Sequence, residues 1–559
     1  MSGVPTLFCE TEGNMVNGAR REPNIDPAQS KTPSMPGNSM RENRETPLVS
    51  GSSPPDRLEK AKSDKTSMNA SGESDERVVP AKHSNKEEQS SAESVEGSRS
   101  TKGNTEEDHT QRTQGQGRVS QGLGGVREAA RKDRKQKFTA LLHHVTVDLL
   151  RESYGSLKKK AAPGVDGVTW EQYGEGMEER LQDLHARIHR GAYRAQPSKR
   201  VYIPKADGRQ RPLGIAALED KVVQQAVVTV LNAIYEEDFL GISYGFRPGR
   251  SQHDALDALS VGLKRRKVNW VLDMDVRGFF DHVSHEWLEK FIEHRIADRR
   301  ILRLIRKWMR AGVSEEGEWK ETKIGTPQGA VISPLLGNIY LHYVFDLWVQ
   351  RWRQAGARGD VLVVRYADDA VLGFQHREDA ETFLEQLRER LKAFGLELHP
   401  EKTRLIEFGR YAEDNRERKG EGKPETFDFL GFTHVCGKAR KGKWFTVKRR
   451  TVKKRLRSKL QAIGQELRKR CHEQVGQTGN WLRSVVQGYF NYHAVPGNFP
   501  ALQTFRREVA RLWLQALRRR SQRRHLTWER FRLLLDQYIP KPRILYPEPS
   551  VRFAAKYSR

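Results

Sequence analysis

Two adjacent acidic residues between apolar runs place the strongest constraint on this chain. Tyr366-Ala367-Asp368-Asp369 follows Val361-Leu362-Val363-Val364 and precedes Ala370-Val371-Leu372. Apolar, β-branched runs around a short polar turn are typical of a hairpin, and flanks this apolar are typical of strands buried on both faces. Buried carboxylates need compensation, which a divalent cation supplies. For this stretch alone, an ordinary aspartate-rich turn remains the alternative.

Positive charge is concentrated toward the carboxyl end of the sequence. The 559 residues carry a formal net charge of +27, and only 36% are hydrophobic. Residues 438–559 hold 31 lysines and arginines against six acidic residues. Such a surface suits a phosphate backbone, whose condensed counterions are released when Lys and Arg replace them. The sequence has no apolar run of about 18 residues and no amino-terminal signal pattern, so we expect neither membrane insertion nor secretion.

Composition separates an amino-terminal tail from the rest of the chain. Residues 1–125 are rich in Ser, Gly, Glu, Lys, Asn and Pro and lack apolar periodicity, which predicts disorder. Helical spacing of apolar residues between Phe138 and Leu149 predicts the first ordered structure. The cysteines Cys9, Cys436 and Cys471 are scattered, which is typical of structural thiols in a reducing cytosol and not of a zinc site.

A second acidic strand precedes the hairpin. Residues 268–276 are predicted to form a strand in which Asp273 and Asp275 share one face, followed by a break at Arg277-Gly278 and a helix from His285. One metal-binding carboxylate on each of two neighbouring strands is enough for two divalent ions. Such a pair of ions supports in-line phosphoryl displacement, and magnesium prefers a few carboxylates completed by substrate phosphates.

These stretches, Asp275-Val-Arg-Gly-Phe-Phe-Asp281 and Tyr366-Ala367-Asp368-Asp369, resemble the palm of a reverse transcriptase. Further blocks stand in the order found in group II intron reverse transcriptases, so the resemblance covers roughly residues 130 to 559. The blocks are Ala162-Pro-Gly-Val-Asp-Gly167, Tyr202-Ile-Pro-Lys205, Arg211-Pro-Leu-Gly-Ile215, Tyr244-Gly-Phe-Arg-Pro-Gly-Arg-Ser251, Gly325-Thr-Pro-Gln-Gly329, Glu401-Lys-Thr403 and Phe429-Leu-Gly-Phe432.

The resemblance implies roles for individual residues. The metal-binding residues would be Asp275, Val276, Asp368 and Asp369. Asp273 and Asp281 are the alternatives to Asp275. The implied cofactors are two Mg²⁺ ions, and the substrates are deoxynucleoside triphosphates (dNTPs). Lys402 resembles a catalytic lysine that protonates the leaving pyrophosphate, with a surface lysine as the alternative.

Other residues resemble those that bind the nucleotide and the primer. Lys205 and Arg211 resemble a cationic pair on the triphosphate, and Phe280 resembles the steric gate against a ribose 2′-hydroxyl, which leaves Phe279 as a core residue. Gln328 resembles a residue that lines the nucleotide pocket. Gly431 and Phe432 resemble the primer grip. For Lys205 and Arg211 the alternative is an exposed ion pair. For Gln328 it is a plain turn, and for Gly431 and Phe432 it is an ordinary hairpin.

Three basic helices are predicted after residue 437, and they resemble the thumb, or domain X, of this family. Their apolar stripes are most simply core, and the opposite cationic faces suit duplexes and structured RNA. The predicted domains are a tail (1–125), fingers and palm (126–437), a thumb (438–535) and a basic carboxyl-terminal tail (536–559). The predicted RNA-binding residues are Lys453, Lys454, Arg455, Arg506, Arg507 and Arg511.

The expected fold class is therefore α+β: a right-hand polymerase with antiparallel sheets in fingers and palm and an α-helical thumb. The resemblance implies an RNA-directed DNA polymerase that also assists splicing as a maturase. Its expected partners are group II intron RNA, an RNA template with a DNA primer, and target DNA, in the bacterial cytosol. No carboxyl-terminal endonuclease is evident in the sequence. The alternatives are a reverse transcriptase recruited to a non-intron role such as defence, and a maturase that acts only in splicing.

Overall fold

The computed structural model of the protein describes residues 122–204, 210–315, 317–322, 324–326, 329–439, 444–520 and 526–557. Residues 1–121, which include nearly all of the predicted tail and Cys9, lie outside these ranges. So do two predicted nucleotide-binding residues, Lys205 and Gln328. Helix α1 (122–132) begins within the last residues that composition assigns to the tail.

Strands in the described part of the chain form three sheets. Their spatial orders are β2-β1-β4-β5, β6-β7-β3-β8 and β11-β10-β9, and every pair except β1 with β4 is antiparallel. The predicted α+β class is thereby confirmed. The strands are β1 (Ser198–Pro204), β2 (Gln210–Ile215), β3 (Trp270–Asp275), β4 (Val313–Glu315), β5 (Glu318–Lys320), β6 (Val361–Tyr366), β7 (Asp369–Phe374), β8 (Arg404–Glu407), β9 (Phe427–Phe429), β10 (Phe432–Lys438) and β11 (Phe445–Thr451).

Helices surround these sheets and make up the carboxyl-terminal region. Among the described residues, no helix is both long enough and apolar enough to cross a bilayer. The helices after α1 are α2 (Val147–Ser156), α3 (Trp170–Gly174), α4 (Met177–His189), α5 (Leu218–Asp238), α6 (Gln252–Arg265), α7 (Phe279–His282), α8 (His285–Glu293), α9 (Arg299–Arg310), α10 (Ser333–Leu341), α11 (Leu347–Ala355), α12 (Arg377–Ala393), α13 (Ala412–Arg418), α14 (Lys453–Lys469), α15 (Val475–His493), α16 (Phe499–Arg518), α17 (Trp528–Tyr538) and α18 (Pro549–Tyr557).

The β6-β7-β3-β8 sheet, here called the central sheet, is buried on both faces, as its apolar strands predict. Because side chains alternate along a strand, Leu272 and Leu372 enter a large core built with the surrounding helices. Val271 and Val371 point the other way, into a second core that includes apolar residues of α6 and of the β9–β11 sheet. The acidic residues lie on this second face, where the strands end.

The helix predicted around Phe138 to Leu149 is wrong in its first half. Phe138 forms a single β-bridge with Ile296, and the helix begins only at Val147. Thr146 is its N-cap, since the hydroxyl oxygen accepts a hydrogen bond from the Leu149 backbone N–H. An N-cap residue has an extended backbone, so the apolar residues before Thr146 are buried by tertiary contacts and not by helical periodicity.

Two predicted domain boundaries cut through continuous elements. The boundary at 437 falls inside β10, which pairs with β11 along its whole length, so the hairpin is one unit. The boundary at 535 falls inside α17, which continues to Tyr538. Both boundaries were predicted from composition. Backbone hydrogen bonding continues across each of them, in the β10–β11 pair and in helix α17.

The thumb helices predicted from their apolar stripes are present as α14, α15 and α16, and α17 joins them in a third core. The segment predicted as a basic tail contains α18, which packs on α6. Lys556 of α18 forms an ion pair with Asp254, and Arg552 Nη1 lies 3.0 Å from Asp257 Oδ2. This segment is therefore folded against the molecule, because two buried acidic residues of α6 attract its cations.

Candidate active site

The acidic turn has a tight geometry. Tyr366 at the end of β6 pairs with Asp369 at the start of β7, which leaves Ala367 and Asp368 as the turn. Ala367 has φ of +56°, a left-handed conformation that residues with a Cβ rarely adopt. Non-glycine residues in such conformations are concentrated at functional sites, because the surrounding structure must hold them there.

The structure places the three predicted aspartates at neighbouring backbone positions. Asp275 is directly opposite Asp369 in the β3–β7 pair, and Asp368 lies in the adjoining turn. Opposite residues in an antiparallel pair have Cβ atoms about 5 Å apart. Asp369 is accessible from the cleft, but the surrounding protein withdraws it from bulk water. This burial, followed by the charges of Asp368, Asp275 and Asp273, raises the pKa of Asp369 to about 7.

The alternatives to Asp275 are placed less favourably. Asp273 Oδ2 lies 3.7 Å from Arg404 Nη2, and burial raises the pKa of this carboxyl to about 6 although Arg404 opposes the change. Asp281 is exposed on α7. The Val276 side chain is buried, so only its backbone carbonyl is available to a metal. Asp275 is the one that faces the acidic turn.

Lys402 supplies a positive charge at these carboxylates. Its Nζ forms an ion pair with Oδ2 of Asp275. The segment before β8 is tied to β3, because the Asp275 carbonyl accepts hydrogen bonds from His399 N at 2.8 Å and Thr403 Oγ1 at 3.4 Å. The lysine is thus placed by the backbone of the residue that it contacts.

The donor set suits a divalent cation that is completed by substrate. Hard oxygen ligands are those that Mg²⁺ prefers, and the charges of Asp368, Asp275 and Asp273 add to the effect of burial in raising the pKa of Asp369. Within the described ranges, no three Asp, Glu, His or Cys side chains already converge as a metal-binding group. Magnesium sites in phosphoryl-transfer enzymes commonly use one or two carboxylates plus substrate phosphates, which is compatible with this arrangement.

A buried polar network supports the turn from below, and sequence reasoning missed it. Arg365 of β6 donates to the Ala367 carbonyl at 2.9 Å, to Asn338 Oδ1 at 3.1 Å and to Asp346 Oδ1 at 2.7 Å. Asn338 donates to the Gly245 carbonyl at 2.8 Å, and a Cβ on Gly245 would lie 2.3 Å from Ala367 N. The available signal was an arginine within an apolar strand, since a buried cation requires a partner.

The two phenylalanines after the acidic strand have different environments. Phe279 is buried and packs edge-on against Tyr340. Phe280 is half-buried, and a Cβ on Gly337 of α10 would lie 3.2 Å from its ring. The Phe280 carbonyl accepts a hydrogen bond from Thr326 N at 2.8 Å, which ties it to the 325–329 block. This placement agrees with the choice of Phe280 over Phe279, whose roles remain predictions.

The other predicted nucleotide-binding blocks also meet. Gly329 has φ of +105°, and a Cβ there would lie 2.8 Å from the Gly214 carbonyl, so the 325–329 loop approaches strand β2 closely at this backbone position. Arg211 lies in β2, opposite Ile203 of β1. Gln224 of α5, which sequence reasoning missed, accepts a hydrogen bond from Val331 N at 2.9 Å and thereby holds the loop after Gly329.

The predicted primer grip has a buried ring. Phe432 has no exposed surface and stacks on Tyr492 at 5.7 Å between centroids, so its ring is not available to contact a primer. Gly431 has φ of +81°, and a Cβ there would lie 3.1 Å from Arg455 Nη1. The predicted primer grip thus has the Gly431 backbone beside Arg455 of α14, and its primer-binding role remains a prediction.

The predicted RNA-binding residues fall into two groups. Lys453, Lys454 and Arg455 are exposed in the first turn of α14, where the helix dipole disfavours positive charge and no acidic residue offsets it. Arg455 also lines a groove of about 460 Å³ between α14 and α15. In α16, the predicted residues Arg507 and Arg511 are exposed, and Arg511 Nε pairs with Glu508 at 2.9 Å. Arg506 is mostly buried and donates to the Pro540 carbonyl at 3.1 Å, a structural contact.

Known proteins are similar in sequence to the part of the chain that contains this site. The family described as reverse transcriptase (RNA-dependent DNA polymerase) matches residues 203–434, which span β3, the acidic turn and Lys402. The chain is 36% identical over 280 residues to Protein YkfC of Escherichia coli K12, a match that covers 45% of this chain and 74% of that protein.

Other relatives are named after introns. The group II intron-encoded protein LtrA of Lactococcus lactis subsp. cremoris is 31% identical over 292 residues, which cover 50% of this chain and 48% of LtrA. A putative COX1/OXI3 intron 1 protein of Saccharomyces cerevisiae is 31% identical over 217 residues, 38% of this chain and 26% of that protein. The chain thus spans about half of LtrA and most of YkfC. It belongs to the family of group II intron-encoded reverse transcriptases and maturases.

Proposed function

We propose that this protein extends a DNA primer along an RNA template, as the polymerase of a group II intron. The observation that carries this proposal is the position of Asp275 opposite Asp369, with Asp368 in the adjoining turn. In the reaction, the primer 3′-oxygen bonds to the α-phosphorus of a dNTP while the bond from that phosphorus to the bridging oxygen breaks. Pyrophosphate leaves, and the primer hydroxyl gives its proton to water.

The carboxylates of Asp275, Asp368 and Asp369, with the carbonyl of Val276, would hold two Mg²⁺ ions. When bound, these ions favour ionisation of the primer hydroxyl and stabilise charge on the departing phosphate. Lys402 contacts Asp275 and donates a proton to the leaving pyrophosphate. The network around Arg365 keeps the acidic turn in its strained conformation, so that little rearrangement is needed when substrate binds.

Substrate selection depends on the residues next to this turn. The half-buried ring of Phe280 limits the space for a sugar, and we assign it to excluding a ribose 2′-hydroxyl. Arg211, together with Lys205, binds the triphosphate through fixed positive charge. Gln328, next to Gly329, lines the nucleotide pocket. The closeness of Gly329 to Gly214 supports this grouping, because it joins the two blocks that contribute these residues.

A second activity, assistance to splicing, is supported by the basic thumb. Lys453, Lys454 and Arg455 place three cations at a helix N-terminus, where they weaken the helix unless an anion is present. Phosphates of intron RNA or of a template-primer duplex supply that anion. We therefore propose group II intron RNA, an RNA template, a DNA primer and target DNA as partners, in the bacterial cytosol. No described residue bears on a separate endonuclease.

Two other functions predict different outcomes. A reverse transcriptase recruited to a role such as defence would lie in a gene with no surrounding group II ribozyme, whereas the intron polymerase lies within one. A maturase that acts only in splicing would keep its activity after loss of the aspartates. The nucleotide sequence around the gene and primer extension by the wild-type protein distinguish the three, because a maturase that acts only in splicing does not extend a primer.

Primer extension tests the polymerase directly. The Asp368→Ala variant should lose extension on an RNA template with magnesium, while its affinity for a folded RNA stays within about twofold. The matched control is Asp281→Ala, because Asp281 is a nearby exposed aspartate outside the facing pair. Extension by Asp368→Ala at the wild-type rate would refute the site.

A further inference from the structure

A basic surface lies outside the site described above, on helix α9. The helix contains five arginines and one lysine at surface positions and no acidic residue. Its apolar side, which includes Ile301, Leu304 and Ile305, is buried in the main core. Its cations are therefore gathered along the opposite side. The sequence offered little warning, because the region before residue 438 is nearly neutral as a whole.

The cations of α9 line a notch against the end of α4. The notch has a volume of about 110 Å³ and is lined by polar residues on both sides, with His189 and Arg190 from the α4 end facing Arg300, Arg303 and Lys307 from α9. Gly191 forms part of the wall, and a Cβ there would lie 3.7 Å from Arg303 Nη1. Guanidinium groups from two helices thus converge on one small space.

The arginines of the notch lack the carboxylate partners that a neighbouring arginine has. Arg306, on the same helix, lies 3.0 Å from Glu289 and 3.1 Å from Glu293. Within the described ranges, neither Arg190 nor Arg303 has a carboxylate at ion-pair distance. Arg300 reaches only Asp298 at 3.4 Å, and Asp298 already accepts hydrogen bonds from two backbone N–H groups of residues 141 and 142.

The lysine in the notch reports the same crowding of charge. Lys307 donates to the carbonyls of Gly191 and Tyr193. Burial, followed by the nearby charges of Arg303 and Arg194, lowers the pKa of Lys307. Cations held this close without a counter-charge repel one another, and an anion in the notch would relieve that repulsion.

The notch is separate from the nucleotide site. Trp308 and Met309, on another side of α9, line a small cavity together with Thr326 and Ala330 of the nucleotide loop. The helix therefore lies between that loop and the notch. Two rings lie among the notch walls. Tyr193 is only 1% exposed, and the half-buried imidazole of His189 packs against that of His185 at 4.1 Å between centroids, so neither ring presents a fully exposed face to a base.

We propose that this notch binds a phosphodiester group of folded RNA, outside the template-primer cleft. Arginine forks match phosphate oxygens in geometry and charge, and a site with phosphate contacts but no base contacts recognises the RNA backbone and its shape. The proposal rests on the proposed function, because intron RNA is the folded RNA that such a polymerase binds. It adds a second RNA-binding surface, distant in sequence from the thumb.

A matched pair of double variants tests this surface. Arg190→Gln/Arg303→Gln removes the two uncompensated arginines, one from each side of the notch. Arg187→Gln/Arg306→Gln removes the same charge from the same two helices, but both residues are already in ion pairs with carboxylates. Filter binding with a group II intron transcript, at several KCl concentrations, gives the affinity and its salt dependence. Binding of a short RNA–DNA heteroduplex is measured in parallel.

The notch variant should bind the transcript about 10-fold more weakly, with a salt slope reduced by about 0.7–0.9 for one lost phosphate contact. Its heteroduplex affinity and the binding by the control variant should stay within about twofold of wild type. Unchanged transcript affinity in the notch variant would overturn this inference alone. Equal weakening on the heteroduplex would also overturn it, since the surface would then bind the template. A wild-type protein that does not bind the transcript would remove the maturase proposal as well.

Discussion

Arg365 and Asp346 form an ion pair with no exposed surface beneath the acidic turn. Asp346 ends a π-helical turn, His342–Asp346, and π-helical turns often occur near functional sites. The same arginine donates to the Ala367 carbonyl, so one side chain connects a buried charge to the residue with the strained backbone. The two opposite charges compensate each other, and Nη1 of Arg365 donates to the Ala367 carbonyl in the turn that carries Asp368.

This arrangement predicts that stability and activity can be separated. Arg365→Met leaves Asp346 buried without a partner and should lower the free energy of unfolding by about 3–5 kcal/mol. Arg365→Met/Asp346→Leu removes both charges and should recover most of that loss. The extension rate of the double variant should still be at least about 10-fold below wild type, because the Ala367 carbonyl has lost its donor.

Urea denaturation and single-turnover primer extension at saturating dNTP measure the two effects. Because the variants change the placement of the turn and not the nucleotide pocket, KM for dNTP should change much less than kcat. A double variant that is stable and extends at the wild-type rate would show that the turn needs no support from Arg365.

Phe280 is expected to control sugar selection. Phe280→Val shortens a side chain that is only half-buried beside the acidic strand, so incorporation of ribonucleotides relative to deoxyribonucleotides should rise by about 10- to 100-fold. The measurement is extension with each nucleotide separately. Phe279→Val is the control, because Phe279 is buried and its loss should lower stability without changing selection. Equal selectivity in Phe280→Val and wild type would assign the ring a packing role only.

Lys402 is expected to protonate the leaving group. Lys402→Gln should slow extension by about 100-fold, the range of general acid catalysis. The loss should be smaller for dNTP analogues whose β,γ-bridge carries electron-withdrawing fluorine, because a better leaving group needs less protonation. Pre-steady-state extension with both substrates makes the comparison. A loss of equal size for both would indicate that Lys402 acts through its contact with Asp275 and not as an acid.

Periodicity predicted the acidic strand and hairpin, and the family resemblance selected Asp275, Asp368 and Asp369 within them. Alternation in β3 put Asp275 on the face that carries Asp369, and the apolar runs of β6 and β7 defined the hairpin. Both are local patterns, in which a strand with a two-residue period leaves little freedom. The same reasoning failed before Val147, because burial by distant elements produced an apolar spacing that resembled a helix.

Long-range charge pairing was not predictable in this way. Arg365 and Asp346 lie 19 residues apart in different elements, and Arg552 pairs with Asp257 nearly three hundred residues away. Charged residues in a sequence are usually exposed, so nothing local distinguished these from surface residues. The basic composition of the carboxyl-terminal segment therefore predicted a tail. In the structure the segment contains α18, whose Arg552 and Lys556 form ion pairs with the buried Asp257 and Asp254 of α6.

The contacts of α18 predict a role in stability. Arg552→Gln/Lys556→Gln removes partners of Asp257 and Asp254, both buried on α6, and should lower the free energy of unfolding by about 1–3 kcal/mol. The effect is limited because Arg449 Nη1 also lies 3.0 Å from Asp257. Lys541→Gln/Arg543→Gln removes two exposed cations nearby and serves as the control in urea denaturation. Equal stability of the two double variants would mean that α18 is held by apolar contacts alone.

Buried histidines predict loss of stability in mild acid. His434 has no exposed surface, and burial, followed by the charge of Arg449, lowers the pKa of His434 to about 3. The unfolded chain titrates near the ordinary value of about 6.5, so between about pH 6.5 and pH 3 it binds a proton that the folded protein does not. The free energy of unfolding contributed by this group is complete above that window and falls with pH inside it.

From pH 7 to pH 5 the loss amounts to about 2 kcal/mol for one such histidine. His434→Phe should therefore lose about 2 kcal/mol less than wild type over this interval, and the constant cost of the substitution cancels in the difference. Urea denaturation at the two pH values measures it, with the exposed His472→Gln variant expected to follow wild type. Other buried histidines, including His493 with its pKa lowered by burial to about 3, keep part of the acid sensitivity. Identical losses in His434→Phe and wild type would show that His434 takes up its proton in the folded protein.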